Sequence, residues 1–163
     1  MKKYKILIII GIIISSMIFL MSATGTLTVN KTQKSCTQGQ YVDFGGAKSD
    51  TIIASDTVNY YLFCEHTNDV TPYMSFTWTK TTGNPTVTLK FYQSLDGVNY
   101  TAVPTRGTSA YTKTITPTAS TSYYYSFQKD TVLFEGRFLE VSIITPVTTC
   151  KAIIGGRVKF TIK

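Results

Sequence analysis

The sequence predicts an all-β fold, a single antiparallel, jelly-roll-like β-sandwich preceded by an N-terminal hydrophobic helix. From residue 57 onward, apolar and polar residues alternate with a period of two, which is typical of half-buried strands. Threonine occurs 28 times and tyrosine 11 times, and both favour strands because β-branched and aromatic side chains suit a pleated surface. No segment after residue 25 sustains the 3.6-residue period of a helix.

Six main strands follow from the alternation, and each has one apolar face. The residues on these faces are Val58, Tyr60, Leu62 and Cys64; Met74, Phe76 and Trp78; Val87, Leu89 and Phe91; Tyr123, Tyr125 and Phe127; Leu139, Val141 and Ile143; and Val158, Phe160 and Ile162. We expect the centre of the core to be formed by Trp78, Phe76, Phe91, Tyr125, Val141 and Phe160.

Shorter strands are predicted between the main ones. They cover residues 27–30, 40–44, 50–54, 99–103 and 111–115. Turn residues separate the strands, among them Gly45-Gly46, Asp96-Gly97 and Gly155-Gly156. The clearest hairpin runs from Thr86 to Val103, and residues 105–122 are interpreted as a long hairpin with a mobile tip.

Residues 1–25 are predicted to be a signal peptide or an N-terminal membrane anchor, and residues 26–163 the sandwich domain. The segment Ile6 to Met21 carries no charge and follows three lysines. Its length lies between that of a signal-peptide core and the ~20 residues that span a bilayer. Ala23 and Gly25 offer a cleavage site, whereas the many isoleucines favour an anchor whose lysine end is cytoplasmic. Either alternative places the domain outside the cytoplasm, secreted or membrane-anchored.

The net charge of +7 includes the three lysines of the leader, which leaves +4 spread along the domain. No basic run interleaved with aromatic residues is present, so the sequence argues against nucleic acid as a partner. The expected partners are the membrane, through the N-terminal segment, and a second copy, virion proteins or glycans.

Three cysteines, Cys36, Cys64 and Cys150, permit one disulfide and one remaining thiol in an oxidising compartment. Cys36 with Cys150 is the favoured pair, because both lie in threonine-rich stretches that resemble loops, whereas Cys64 lies on an alternating strand. The other two pairings stay open. A metal site is not expected, because the cysteines are scattered and His66 is the only histidine.

No catalytic residues and no cofactor are predicted. The nine acidic residues mostly lie beside turn residues, where a carboxylate accepts backbone N–H bonds, and they suggest no converging pair. There is no G-x-S-x-G motif, and no glycine cluster precedes a helix to hold a phosphate. The sequence therefore indicates a protein that is not an enzyme.

The candidate ligand-binding residues surround the predicted hairpin. Tyr92 precedes the turn, Asp96 lies in it, and Asn99 and Tyr100 follow it. Rings that can stack on a sugar would lie beside amide and carboxylate groups that can bond its hydroxyls. The alternative is a ladder of rings that only stabilises the sheet. The tyrosines predicted to face away from the core are Tyr61, Tyr92, Tyr100 and Tyr124.

Three segments resemble those of small β-sandwich virion proteins of tailed bacteriophages and prophages. They are Tyr41–Ile52, Leu89–Thr101 and Arg137–Val141. The Ser-Leu-Asp-Gly-x-Asn-aromatic pattern is also similar to one in discoidin-like sugar-binding sandwiches. The resemblance implies a structural or attachment role, with no catalytic residue, and adds the virion as an alternative location. The predicted function is a structural or surface-display protein, with a carbohydrate-binding or adhesion module as the alternative.

Overall fold

The computed structural model describes residues 28–31, 33–36, 39–46, 50–64, 70–107, 109–127, 132–146 and 148–162. These residues form two β-sheets and contain no α-helix, which confirms the all-β prediction. None of the described elements is a helix that could cross a membrane. The predicted N-terminal helix, with the leader and its cleavage site, lies outside the described residues.

Twelve strands are present in the described residues. They are β1 (Thr28–Asn30), β2 (Lys34–Cys36), β3 (Tyr41–Gly45), β4 (Thr51–Ile53), β5 (Thr57–Cys64), β6 (Val70–Thr82), β7 (Val87–Ser94), β8 (Thr101–Ala102), β9 (Thr112–Ile115), β10 (Thr121–Ser126), β11 (Phe138–Ile144) and β12 (Lys151–Ile162). All six main strands and all five shorter ones that the sequence predicts are found, and β2 is additional.

The strands divide between two sheets. In the first sheet the order is β1-β5-β11-β7-β8, with β2 also beside β5 and β9 beside β7. In the second sheet the order is β10-β6-β12-β3, with β4 also beside β12. Along the chain, β5, β7, β9 and β11 lie in the first sheet and β3, β6, β10 and β12 in the second, and from β5 onward the chain changes sheet at each step except from β7 through β8 to β9. This connectivity is that of a jelly roll, in which two Greek keys share two sheets.

The prediction of a purely antiparallel fold is wrong at one edge. Strands β1 and β2 run parallel to β5, with Val29 beside Val58 and Ser35 beside Phe63. Parallel neighbours need a long crossover connection. Here β3 and β4 supply it, because the chain passes through the second sheet before it returns as β5. The N-terminal strands thus cover the β5 edge of the first sheet.

One cluster of apolar side chains fills the space between the sheets. All six residues that the sequence predicts at its centre are buried. They are Trp78, Phe76, Phe91, Tyr125, Val141 and Phe160. Phe91 of the first sheet packs against Tyr111 and Phe127, with ring centroids 5.0 and 5.2 Å apart. Phe134 continues this contact to Phe160 of the second sheet, at 6.3 Å. Aromatic rings therefore join the two sheets.

Two sequence-based interpretations need correction. Gly155-Gly156 is not a turn but lies inside β12, opposite Thr77 and Phe76 of β6. A Cβ atom on Gly156 would meet the backbone carbonyl of Ser75, so the glycine permits close approach of the strands. Residues 105–122 do not form one long hairpin, because β9 pairs with β7 in the first sheet and β10 pairs with β6 in the second.

Candidate functional site

The predicted hairpin is present, and its turn is held by the side chains of Ser94 and Asp96. The Ser94 Oγ accepts the N–H of Gly97 at 2.9 Å and donates to Asp96 Oδ1 at 2.7 Å. Asp96 Oδ1 accepts the backbone N–H groups of Val98 and Asn99, each at 2.8 Å. The Asn99 side-chain amide donates to Asp96 Oδ2 at 2.7 Å. The polar groups of Asp96 and Asn99, which sequence analysis assigned to ligand binding, therefore form hydrogen bonds within the turn itself.

These bonds set the charge state of Asp96. The N–H groups of Asn99 and Val98, with the hydroxyl of Ser94 and the side-chain amide of Asn99, hold the pKa of the Asp96 carboxyl well below its usual range. The side chain remains exposed to solvent. Asp96 is therefore a permanent anion at neutral pH whose main partners are in its own turn.

A small cleft lies beside this turn. It has a volume of about 310 Å³ and is bounded by the turn and by Glu135 and Gly136, with Asp96, Asn99 and Thr101 among its lining residues. The backbone N–H of Glu135 donates to Gln93 Oε1 at 2.8 Å, which holds this wall in place. Two acidic residues, Asp96 and Glu135, thus belong to the lining of one cleft.

Tyr92 and Tyr100 do not line the cleft. Tyr92 lies on the outer face of the first sheet, in register with Glu140, which is in turn in register with Tyr61. The ring of Tyr100 meets that of Tyr61 edge-on at 5.5 Å. The structure therefore separates the four predicted ligand-binding residues into two groups, with Asp96 and Asn99 at the cleft and the tyrosines on the sheet.

The tyrosines surround a half-buried carboxyl group. Burial raises the pKa of Glu140 above its ordinary value. Burial and the neighbouring Glu140, followed by Tyr61 and Asp96, raise the pKa of Tyr100 to about 12. Tyr100 is a neutral hydroxyl donor at any physiological pH, and this part of the surface holds one acidic group among tyrosine side chains.

A larger groove, which the sequence reasoning missed, lies on the outer face of the second sheet. Its volume is about 660 Å³, and its lining includes Tyr41, Tyr73, Tyr124 and Arg157. Of these residues, only Tyr124 was predicted to face solvent, and 81% of it is exposed. The alternation of β12 could also have indicated the groove. Arg157 and Lys159 must lie on the face opposite to that of the buried Val158 and Phe160.

The cysteines differ from the predicted pairing. Cys150, the residue before β12, is a buried free thiol, which does not fit the predicted pair with Cys36. Cys36 in β2 is the backbone register partner of Cys64 in β5. The sequence could not reveal this, because it gave no sign of β2 or of its parallel pairing. In the described ranges no cluster of three or more His, Cys, Asp or Glu side chains converges as a metal site would require.

Comparisons with known proteins add a structural likeness. No protein-family model matches the chain, and no curated protein matches it. Among solved structures, the chain is similar to a protein of Bacillus endospore appendages, which are described as a novel family of disulfide-linked pili. The two share 21% sequence identity with a TM-score of 0.38, over 82% of this chain and 100% of the other.

Proposed function

We propose that this chain is a non-enzymatic structural or surface-display protein that works outside the cytoplasm. The observation that carries the proposal is the ring-filled interior, where Phe91, Phe127 and Phe134 form a continuous contact to Phe160. An interior packed in this way leaves no room for a substrate between the sheets. The outer faces and loops are then the surfaces available for contact with other molecules.

Buried polar bonds at the sheet ends support a rigid module. Thr145, just after β11, donates its N–H to the Asp56 carbonyl at 3.0 Å and accepts the Asp56 N–H through its hydroxyl at 3.0 Å. Tyr60 donates to Asp50 Oδ1 at 3.2 Å, and Lys31 pairs with the same oxygen at 2.9 Å. These contacts join segments distant in sequence, and a rigid scaffold of this kind suits a role in display or assembly.

The location outside the cytoplasm rests on the uncharged run Ile6 to Met21 and its preceding lysines. A membrane-impermeant amine-reactive biotin reagent applied to intact cells tests it on the full chain, since Lys34 and Lys151 are exposed. We expect labelling of intact cells by the full chain, and labelling of a variant without residues 1–25 only after lysis. Labelling of the full chain only after lysis would overturn the proposed location.

The finer structural role that we propose is a component of a phage or prophage virion, alone or as a homo-oligomer. It is supported by the resemblance of Tyr41–Ile52, Leu89–Thr101 and Arg137–Val141 to virion sandwiches. Particles released from the source strain and purified by density gradient should contain the chain at a constant ratio to the major capsid protein. Absence of the chain from such particles would exclude the virion role and leave only the surface-display role.

Carbohydrate binding at the hairpin is the second candidate function. The cleft of about 310 Å³ beside Asp96 and Asn99, with Tyr92 and Tyr100 on the adjoining face, favours it. A glycan array with the wild-type protein and a Tyr92→Ala, Tyr100→Ala double variant tests it. Loss of signal in the double variant is the expected result. Equal signals from the two proteins would identify the tyrosines as a stabilising ladder.

A further inference from the structure

The groove on the outer face of the second sheet has a floor of small side chains between two taller walls. Register places Tyr124 of β10 beside Ser75 of β6, and Ser75 beside Arg157 of β12. The next outward residue along β6 is Thr77, with Ser122 on one side and Gly155 on the other. The strands that carry the two walls are two strand spacings apart, about 10 Å. The groove is thus wide enough for one ring of a ligand.

Aromatic rings stand on both sides of this floor. Tyr124 is 81% exposed and Tyr41 is 56% exposed, although both lie on a regular sheet. Tyr73 lies between them on β6, in register with Lys159 of β12, which is in register with Tyr41. Exposed tyrosine rings offer an apolar face and a hydroxyl, the combination that stacks on the C–H face of a sugar.

The wall opposite Tyr124 is cationic. Arg157 Nε lies 3.2 Å from Asp43 Oδ1, and its guanidinium lies 5.7 Å from the centre of the Tyr41 ring. Lys159 Nζ lies 5.6 Å from the same ring, and Lys34 Nζ donates to the Asp43 carbonyl at 2.8 Å. Three cations and one carboxylate thus lie at or beside this wall, which leaves it with a net positive charge.

Arg157 can still bind a second anion. A guanidinium has five N–H donors, and the contact with Asp43 uses only the one on Nε. The Arg157 side chain is 55% exposed, so its two amino groups can reach the groove. A fork of this shape matches the two oxygens of a carboxylate.

We propose that this groove binds an acidic saccharide, a sugar ring that carries a carboxylate. The ring stacks on Tyr124, its hydroxyls bond Ser75 and Thr77 on the floor, and its carboxylate pairs with Arg157. The inference does not depend on the structural role proposed above, and it differs from the hairpin site in both its surface and its ligand.

The test is calorimetric titration of the full-length protein in detergent with a trisaccharide of galacturonic acid and with its methyl ester. The ester keeps the sugar rings and replaces each carboxylate by a neutral methyl ester. We expect the acid to bind and the ester to bind at least about tenfold more weakly, as the loss of a charge-assisted hydrogen bond implies. Equal affinity for the two ligands, or no binding of the acid, would overturn the proposal.

Variants identify the surface that binds. Arg157→Gln should weaken binding of the acid by about tenfold, and Tyr124→Ser by about fivefold, whereas Tyr124→Phe should keep most of the affinity. Arg106→Gln removes an exposed arginine outside the groove and should change nothing. An equal loss in Arg106→Gln would indicate unspecific attraction and overturn the proposal.

The hairpin variant separates this proposal from carbohydrate binding at the hairpin. Tyr92→Ala, Tyr100→Ala should leave binding of the acid unchanged. If that double variant abolishes binding and Arg157→Gln does not, the ligand sits at the hairpin and the groove is not the site. The Tyr124 and Arg157 variants should keep the wild-type thermal transition, because both side chains are exposed.

Discussion

The ring of Phe138, at the start of β11, lies directly on Gly97 in the turn after β7. Only 2.9 Å separate Cε1 of Phe138 from the position that a Cβ atom on residue 97 would take. Gly97 also has a φ of 75°, which side chains of L-residues rarely adopt. The turn and the strand therefore meet in a contact that only glycine allows.

Gly97→Ala should lower the free energy of unfolding by about 1–2 kcal/mol, because alanine in a left-handed conformation is strained and Phe138 would have to move. Chemical denaturation of the variant and the wild type measures this. Gly107→Ala is the control, since a Cβ there would lie 3.9 Å from Thr105 Oγ1, an ordinary contact. Equal effects of the two substitutions would contradict the prediction.

Phe91→Ala should lower the free energy of unfolding by ~3–5 kcal/mol, the usual cost of truncating a buried aromatic side chain. Phe91 is fully buried and contacts the rings of Tyr111, Tyr125 and Phe127. Tyr124→Ala, at an exposed position, should change stability by no more than about 0.5 kcal/mol. A loss below about 1 kcal/mol for Phe91→Ala would place its ring outside the core.

Thr145→Val should cost about 1–3 kcal/mol, because valine keeps the shape but leaves polar groups without partners. The Thr145 hydroxyl accepts the N–H of Asp56 and donates to the carbonyl of Ile53. Thr148→Val, at an exposed site, is the matched control and should be near neutral. Thermal denaturation of the two variants side by side gives the comparison.

Asp96 should make stability depend on pH in a defined direction. Hydrogen bonds from Asn99, Val98 and Ser94 lower its pKa in the folded state, whereas in the unfolded chain it titrates near about 3.9. The contribution of the carboxylate is therefore present above the unfolded-state pKa and is lost as the pH falls through the folded-state pKa.

The measurement is the difference in unfolding free energy between the wild type and Asp96→Asn across the acid range. We expect a constant difference above about pH 5 that shrinks at lower pH. A difference that is independent of pH down to about pH 2 would show that the Asp96 charge does not stabilise the turn.

Cys150 should react slowly with iodoacetamide in the folded protein. Its side chain is 4% exposed, and burial together with the nearby Asp56 raises the pKa of the thiol. Because the thiolate is the reactive form, alkylation should become fast only when the chain is unfolded. Peptide mapping of protein alkylated in denaturant without reductant checks the thiol. If Cys150 stays unmodified there, it forms a disulfide with Cys36 or with Cys64.

Periodicity was sufficient to predict the core and most strands. Phe91 and Trp78 are buried because each lies at the centre of an alternating run whose apolar face packs against the other sheet. The same reasoning wrongly predicted a turn at Gly155-Gly156. Glycine occurs both in turns and where two strands approach closely, and only the position of the partner strand distinguishes the two cases.

The candidate sites were harder to predict. Asp96 and Asn99 were correctly placed at the hairpin, but local sequence could not reveal that they would bond each other at 2.7 Å. The groove needs Tyr41, Tyr124 and Arg157 from three strands far apart in sequence. Only the strand order β10-β6-β12-β3 brings them together, and that order depends on packing of the whole chain.

The position of β12 has a consequence for how the protein is made. β12 is the last described strand, yet it pairs with β6, β3 and β4 and lies inside the second sheet. Until it is synthesised, β3 and β4 have no partner among the described strands, and one side of the core stays open. Folding must then wait for pairings across most of the chain, which are slow to form. The second sheet therefore closes only after β12 has been made.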